Sequence, residues 1–316
     1  MKILAPVGIG GFQSAVTQIE AGADEIYLGG ITDIFENHTY TGRTKYDVAG
    51  RRVCLENEEI KEIVDYAHSR GVLVVYAANF PFIAMDPSGG EKYISSYLEY
   101  VEKGLSLGVD SIIVGDIGAL LLMKKQNYKV HITASTYFET MNIQQLYLLR
   151  ELGVNRAVVS FQASFEEIKE LCSEKVMEIE VFGQGCSFYD ANCYLHYNKT
   201  CSESFSLYDE DKLVATGNLL DANQSCSLCS LLRLKQAGVY AVKLVGRECT
   251  VESNVETTKL YAEFLKRLES VDSNDINVHT KISGIKEELV PVWWKRVYCR
   301  SKNCRYTGNK VVQSYI

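Results

Sequence analysis

The stretch Asn57-Glu58-Glu59-Ile60-Lys61-Glu62-Ile63-Val64-Asp65-Tyr66-Ala67-His68-Ser69-Arg70-Gly71-Val72-Leu73-Val74-Val75-Tyr76 carries the reading on which the fold turns. It predicts a helix over Asn57–Ser69, ended by Gly71, and a short apolar strand over Val72–Tyr76. The Gly-Val step between them recurs at Gly108-Val109, Gly153-Val154 and Gly238-Val239, each time after a predicted helix. Toward the N-terminus the same alternation gives a strand at Lys2–Ala5, a helix at Phe12–Ala21 and a strand at Glu25–Leu28. Phe12, Val16 and Ile19 share one face of that helix, and Gly22 closes it. Toward the C-terminus come helix Glu91–Leu107, strand Ser111–Val114, helix Ile117–Lys125, strand Lys129–Thr133 and helix Asn142–Leu152. Strand Arg156–Ser160, helix Phe165–Cys172 and strand Met177–Phe182 follow. A cysteine-bearing stretch, Gly183–Cys229, interrupts the pattern before helix Ser230–Ala237, strand Tyr240–Leu244 and helix Val255–Leu268. Eight strand–helix units within the first 270 or so of 316 residues predict an α/β TIM barrel. Alternation alone does not reveal closure, so a doubly wound open sheet is the alternative. Gly8-Ile9-Gly10-Gly11 follows a strand but lacks the G-x-G-x-x-G spacing of a dinucleotide site.

These units place a barrel domain at residues 1–271, with a cysteine-rich loop at 183–229 inserted after the seventh strand. Residues 272–316 form a basic appendage, packed on the barrel or contacting a partner, in which Val290–Trp294 reads as extended. Hydrophobic residues at 47% and charged residues at 23% exclude a disordered chain. The length suffices for a large core without disulfides. With 33 basic and 40 acidic residues, a formal charge of −7 leaves no global field to recruit nucleic acid. The local exception is the tail, where Lys295, Arg296, Arg300, Lys302, Arg305 and Lys310 stand without an acid; RNA, a protein partner or solvent suits it. The apolar runs at 72–85 and 111–123 fall short of the ~20 residues of a membrane span. The start MKILAPVGIGG is not a signal peptide, so a cytoplasmic location is expected.

Ten cysteines without an export signal point to metal or redox chemistry before disulfides. Cys186, Cys193, Cys201, Cys226, Cys229 and Cys249 lie between the seventh strand and the loop beyond the eighth, on the face where barrels carry chemistry. Four converging thiolates suit an iron–sulfur cluster or tetrahedral zinc. Irregular spacing at a barrel mouth favours the cluster, because structural zinc holds together small modules that lack a core. Cys54 and Cys172 read as buried core thiols. Cys299 and Cys304 form a C-x4-C pair that needs further ligands, from Cys249 or Cys54, to hold a metal.

Asp116, just after the fourth strand, reads as a general base or as the cap of the helix starting at Ile117. His131 lies inside the fifth strand and reads as a buried, hydrogen-bonded histidine; His196, among the cysteines, reads as a proton donor, a ligand or a solvated loop residue. Lys243 and Arg247 end the eighth strand, where barrels often bind phosphate; a surface ion pair is the alternative. Tyr189, Tyr194 and Tyr197 suit shielding of a cluster, stacking on a substrate or ordinary loop packing. The five histidines form neither an H-E-x-x-H motif nor a recognisable triad.

Glu178, Gly183, Cys186, Tyr189 and Cys193 fall at the spacing of the signature of peptidase family U32, which this sequence resembles. The run Ala237-Gly238-Val239-Tyr240-Ala241-Val242-Lys243-Leu244-Val245-Gly246-Arg247 is similar to that family's A-G-V-x-x-x-K-I-E-G-R. Ala5-Pro6-Val7-Gly8, Ala21-Gly22-Ala23-Asp24 and Tyr27-Leu28-Gly29 look like it as well. The resemblance covers most of the first 270 residues and implies a barrel. Some members are named for collagenase-like peptidases. Others resemble iron–sulfur proteins of oxygen-independent hydroxylation of ubiquinone precursors or RNA bases, in which four cysteines hold a 4Fe–4S cluster. Carried over, the ligands are Cys186, Cys193, Cys201 and Cys226, the last standing twelve residues before Gly238; Cys229 is the alternative fourth. The same resemblance favours a site role for Arg247. The chain departs from the family at Phe182 for its His, Val245 for its acid, Phe161-Gln162 for its Arg-Glu and Tyr137 for its Gln. Three functions follow as expectations: an iron–sulfur redox enzyme of hydroxylation acting on a small molecule, RNA or peptide, a peptidase, or a non-catalytic partner of a related barrel subunit. A homo-oligomer is the other assembly expected.

Overall fold

The computed structural model describes residues 1–316 apart from 33–49, 82, 84–89, 187–203, 219–223, 273–274, 300–303 and 307–316. Strands β1 (Lys2–Pro6), β2 (Glu25–Leu28), β3 (Leu73–Ala78), β4 (Ser111–Val114), β5 (His131–Ala134), β6 (Arg156–Val158) and β7 (Glu178–Phe182) run parallel in sequence order. Four short strands, β8 to β11, follow outside the sheet, and β12 (Ala241–Lys243) is its last member. β12 pairs with both β7 and β1, with Lys2 opposite Ala241, and this second pairing closes the barrel and excludes the open sheet. The intervening helices are α1 (Gly11–Glu20), α2 (Asn57–Ser69), α3 (Gly90–Ser106), α4 (Ile117–Gln126), α5 (Ile143–Glu151), α6 (Phe165–Ser173), α7 (Leu231–Ala237) and α8 (Val251–Leu268).

Local chemistry sets these boundaries. Gly238 takes φ 98° after α7, a left-handed conformation that costs glycine little and turns the chain toward β12. Asn142 with Gln145, and Ser164 with Glu167, form capping boxes at the starts of α5 and α6. Helix α8 begins four residues before the expected Val255, because the Thr250 hydroxyl accepts from the Ser253 amide and caps an additional turn.

The barrel interior is half apolar and half ionic. Leu4, Tyr27, Val75 and Ile113 of β1 to β4 form a buried apolar group. Across from them, Arg156 forks onto Glu25 at 2.7 and 3.0 Å, reaches Glu180 at 3.2 Å and donates from Nε to Glu178 at 2.9 Å. Lys243 Nζ stands 3.5 Å from Glu180 and 4.6 Å over the Tyr27 ring. Buried charges persist only when paired in this way. The hydrogen bonds and charges of Glu25, Glu180 and Glu178 outweigh burial and hold the Arg156 guanidinium ionised.

After β7 the chain turns out of the barrel at Gly183, where a Cβ would lie 2.6 Å from Leu244 and 3.2 Å from the Tyr261 ring. β8 (Gln184–Cys186) pairs antiparallel with β11 (Gln224–Cys226), so the excursion returns to the point where it began. Between them β9 (Ser204–Asp209) and β10 (Lys212–Asn218) form a hairpin. Beyond α8, helix α9 (Val278–Leu289) packs Ile282, Ile285 and Leu289 against Leu260, Phe264 and Leu268. The Val290–Trp294 run is not extended as expected. Pro291 caps a helical turn α10 (Val292–Trp294) that continues into a π-helical turn over Lys295–Cys299. This turn swings Trp294 inward, where it is fully buried between Tyr298 and Tyr261 at ring distances of 4.2 and 6.2 Å.

Candidate functional site

Three separated loops meet at the C-terminal face of the barrel around Arg247. A Cβ on Gly8 would stand 2.2 Å from the Arg247 carbonyl oxygen, and one on Gly29 would stand 3.0 Å from Arg247 Nη1. The guanidinium lies 5.7 Å from the Tyr27 ring, and the Tyr27 hydroxyl donates to the Leu244 carbonyl at 2.9 Å. The loops after β1, β2 and β12 thus close on one side chain. Arg247 is buried, and its Nη1 has no hydrogen-bond partner among the described residues. Beneath it burial, together with the Arg247 charge, lowers the Lys243 pKa despite Glu180. The surface ion pair expected as the alternative for Lys243 and Arg247 is not what forms; both are buried, and Lys243 pairs inward. A buried guanidinium with an open donor is a receptor for an anion.

The thiols gather beside this point. Gln184 of β8 donates to the Val245 carbonyl at 2.7 Å, and Cys226 stands opposite Gln184 on β11. Cys226 is buried; Cys229, Cys299 and Cys304 are half-buried. Charge on Cys299 and Cys304 adds to the rise at Cys226 and Cys229, and charge on Cys299 to that at Cys304. Burial is the largest cause, raising the Cys226 thiol to about 12 and Cys229 to about 11. Against it, the Leu228 amide at the Cys226 sulfur favours the thiolate. Among the described residues Trp294 Nε1 makes no hydrogen bond. Cys186 is described through its backbone, two residues along the ladder from the Cys226 pair. Cys193, Cys201, His196, Tyr189, Tyr194 and Tyr197 lie outside the described residues. Cys249 is half-buried and shares the neighbourhood of Tyr298 with Cys226. Cys54 and Cys172 are buried in the core.

The tail completes the mouth. Arg305 lies 4.7 Å over the Phe161 ring and donates to the Gly185 carbonyl at 3.1 Å. Tyr306 accepts from the Phe182 amide at 3.2 Å, and Phe161 and Phe182 meet edge to face at 4.0 Å. Two of the positions where the sequence departs from the family pattern are therefore covered by the chain's own C-terminal segment. Arg305 is buried, and Lys295 pairs with the exposed Glu287 at 2.6 Å, so one of the six tail charges turns inward and another is paired at the surface. Nothing in the local pattern marks Arg305, Tyr306 or the Arg156 network, because each reads in sequence as an ordinary surface residue.

Asp116 also stands on this face, after β4. Its Oδ1 accepts from the Ala119 amide at 2.9 Å and caps α4, while burial raises its pKa. His131 sits at the other end of the barrel, bonded to Ser111 Oγ at 3.0 Å and to Glu178 at 3.2 Å; it is hydrogen-bonded as expected but half-buried instead of buried, because it opens β5 at the barrel's rim. Among the described residues no helix is long and apolar enough to cross a membrane.

A closed eight-stranded parallel barrel with a thiol-lined mouth and a buried arginine defines the class, a TIM-barrel protein. The model of peptidase family U32 matches residues 10–292, and the chain belongs to that family. It is similar to tRNA hydroxylation protein P of Escherichia coli (strain K12), 23% identical over 49% of this chain and 34% of that protein. It is also similar to tRNA hydroxylation protein P1 of Bacillus subtilis (strain 168), 22% identical over 84% of this chain and 63% of that protein. The chain thus spans about a third to under two thirds of the length of these curated relatives. The solved structure of the U32 peptidase Mk0906 shares the fold at a TM-score of 0.51 and 15% identity, covering 79% of this chain and 95% of that one.

Proposed function

We propose that this chain is an iron–sulfur protein of RNA hydroxylation, with tRNA as its substrate class. The observation that carries the reading is the buried Arg247 guanidinium, open at Nη1, beside a group of four thiols on the catalytic face of the barrel. The names of the curated relatives supply the substrate class. The donor set fits a thiolate centre, because Cys226 has thiol neighbours and the Leu228 amide at its sulfur. By the family resemblance its ligands are Cys186, Cys193, Cys201 and Cys226. When bound, a 4Fe–4S cluster supplies one-electron transfer at a potential tuned by hydrogen bonds to sulfur and by solvent exposure.

The chain's own residues position the substrate. Arg247 holds a phosphate in its planar fork, and Gly8 and Gly29 leave room for that side chain. Asp116, a carboxylate with a raised pKa on the same face, accepts a proton. The peptidase reading finds less support. Ser111, His131 and Glu178 are connected in series, but Ser111 is buried at the N-terminal end of the barrel, where conserved chemistry is not found in this fold.

The test is anaerobic purification followed by iron and sulfide analysis, with about four irons per chain expected. The loaded protein, alone and with a related barrel subunit, is then incubated with unmodified tRNA in an anaerobic extract of cells lacking it, which supplies the oxygen donor and the oxidant, and gain of one oxygen atom is read by mass spectrometry. Iron-free protein overturns the cluster; loaded protein that adds no oxygen in either setting overturns the hydroxylation.

A further inference from the structure

Two cations stand on one aromatic ring at the mouth of the barrel. Lys243 Nζ lies 4.6 Å and the Arg247 guanidinium 5.7 Å from the Tyr27 ring, and the two residues are only 8% and 7% exposed. The interior carboxylates are committed below them. Arg156 takes both oxygens of Glu25 and Oε2 of Glu180, which leaves Glu180 Oε1 to Lys243 at 3.5 Å. Glu178 serves Arg156 and His131. Lys243 therefore has a share of one carboxylate, and Arg247 Nη1 has no hydrogen-bond partner among the described residues. On the flanking strands Lys243 stands opposite Leu4 of β1 and Phe182 of β7, which bring no further charge. The Tyr27 hydroxyl donates to the Leu244 carbonyl, and burial keeps it protonated.

We propose that Lys243 is the second cation of the anion site, and that a phosphate seated on Arg247 is accompanied by one proton taken up from solvent at the Lys243 amine. The inference rests on the reading of Arg247 as a phosphate receptor and adds a linked proton to it. An ammonium in a dry interior needs a counter-charge. In the free protein its carboxylate partner among the described residues is Glu180, shared with Arg156, while Arg156 and Arg247 repel a further positive charge. Burial above all, joined by Arg247 and Arg156, accordingly pushes the Lys243 pKa down against the pull of Glu180. A phosphate on Arg247 reverses the balance. It neutralises the guanidinium above the amine and brings negative charge into surroundings of low dielectric constant. The amine lone pair then binds a proton, and no other bond changes. Linkage is reciprocal, so the protonated amine tightens anion binding by the same factor by which the anion favours protonation.

The experiment titrates the full, anaerobically purified chain with unmodified tRNA in a calorimeter at fixed salt. It runs between about pH 7 and pH 9, above the ordinary range of histidine. Buffers of unlike ionisation heat count the protons taken up, and circular dichroism is the folding control. Wild type is expected to take up as much as one proton per tRNA bound. Its affinity then falls as pH rises, by up to about tenfold per pH unit. Lys243→Arg carries a fixed charge and is expected to bind with no uptake and a flat profile. Lys243→Met is expected to bind more weakly, also without uptake. Tight wild-type binding with no proton uptake overturns the linkage and leaves Arg247 as the receptor. Uptake that persists in Lys243→Arg overturns it as well, because the proton then goes elsewhere. Absence of tRNA binding by wild type, or undiminished binding by Arg247→Met, overturns the receptor reading itself.

Discussion

The main-chain amide of Phe182, the last residue of β7, donates to the hydroxyl of Tyr306 at 3.2 Å. A barrel strand is thus finished by a residue 124 positions downstream. Tyr306→Phe removes the acceptor and leaves a buried amide unsatisfied, at an expected cost of about 1–3 kcal/mol. Urea denaturation of the metal-free protein measures it; an unchanged midpoint shows that the tail does not dock there in solution.

Arg156 is the hub of the ionic half of the barrel. Arg156→Met strands Glu25 without a counter-charge and leaves Glu180 with Lys243 alone, and breaking a buried pair from one side typically costs about 3–5 kcal/mol. Adding Glu25→Gln to that variant is expected to restore part of the loss. Equal stability of the single and double variants in the same denaturation experiment contradicts the pairing.

Arg247 behaves in the opposite way. Its Nη1 makes no hydrogen bond among the described residues, so Arg247→Met is expected to leave the unfolding midpoint near wild type. Loss of a charge-assisted phosphate contact worth about 1.5–3 kcal/mol weakens tRNA binding roughly ten- to hundredfold. Filter binding at fixed salt reads the affinity; tight binding by the variant removes Arg247 from the site.

Acid stability reports on Glu178. Burial works to raise its carboxyl, but hydrogen bonds from His131 and Arg156 outweigh burial and hold it below the ordinary 4.5. A depressed carboxylate stabilises the fold above its unfolded value and loses that contribution as pH falls through the lower folded one. Glu178→Gln is therefore less stable than wild type at neutral pH, and the gap closes in acid. A gap that stays constant or widens as pH falls disproves the pairing.

The alternation of strand and helix was legible because each unit writes its own signals, such as the Gly-Val steps and the polar caps at Asn142 and Ser164. Closure was not, since the pairing of Lys2 with Ala241 depends on contacts across the whole chain. The ionic interior was hidden for the same reason. Glu25, Arg156 and Glu180 sit in short strands where alternate charges resemble a solvated face, and only closure turns them inward. Within the site, Arg247 was readable from its place at the end of the eighth strand. The cysteine pairs were visible too, but their meeting depends on the turn that buries Trp294, and the Val290–Trp294 run looked extended.

The antiparallel pairing of β8 with β11 has an evolutionary consequence. Because the excursion leaves and re-enters through one doorway, the chain between its two ends can be lengthened, trimmed or exchanged as a cassette. Selection can rework what the mouth recognises there without retuning a single register in the scaffold below.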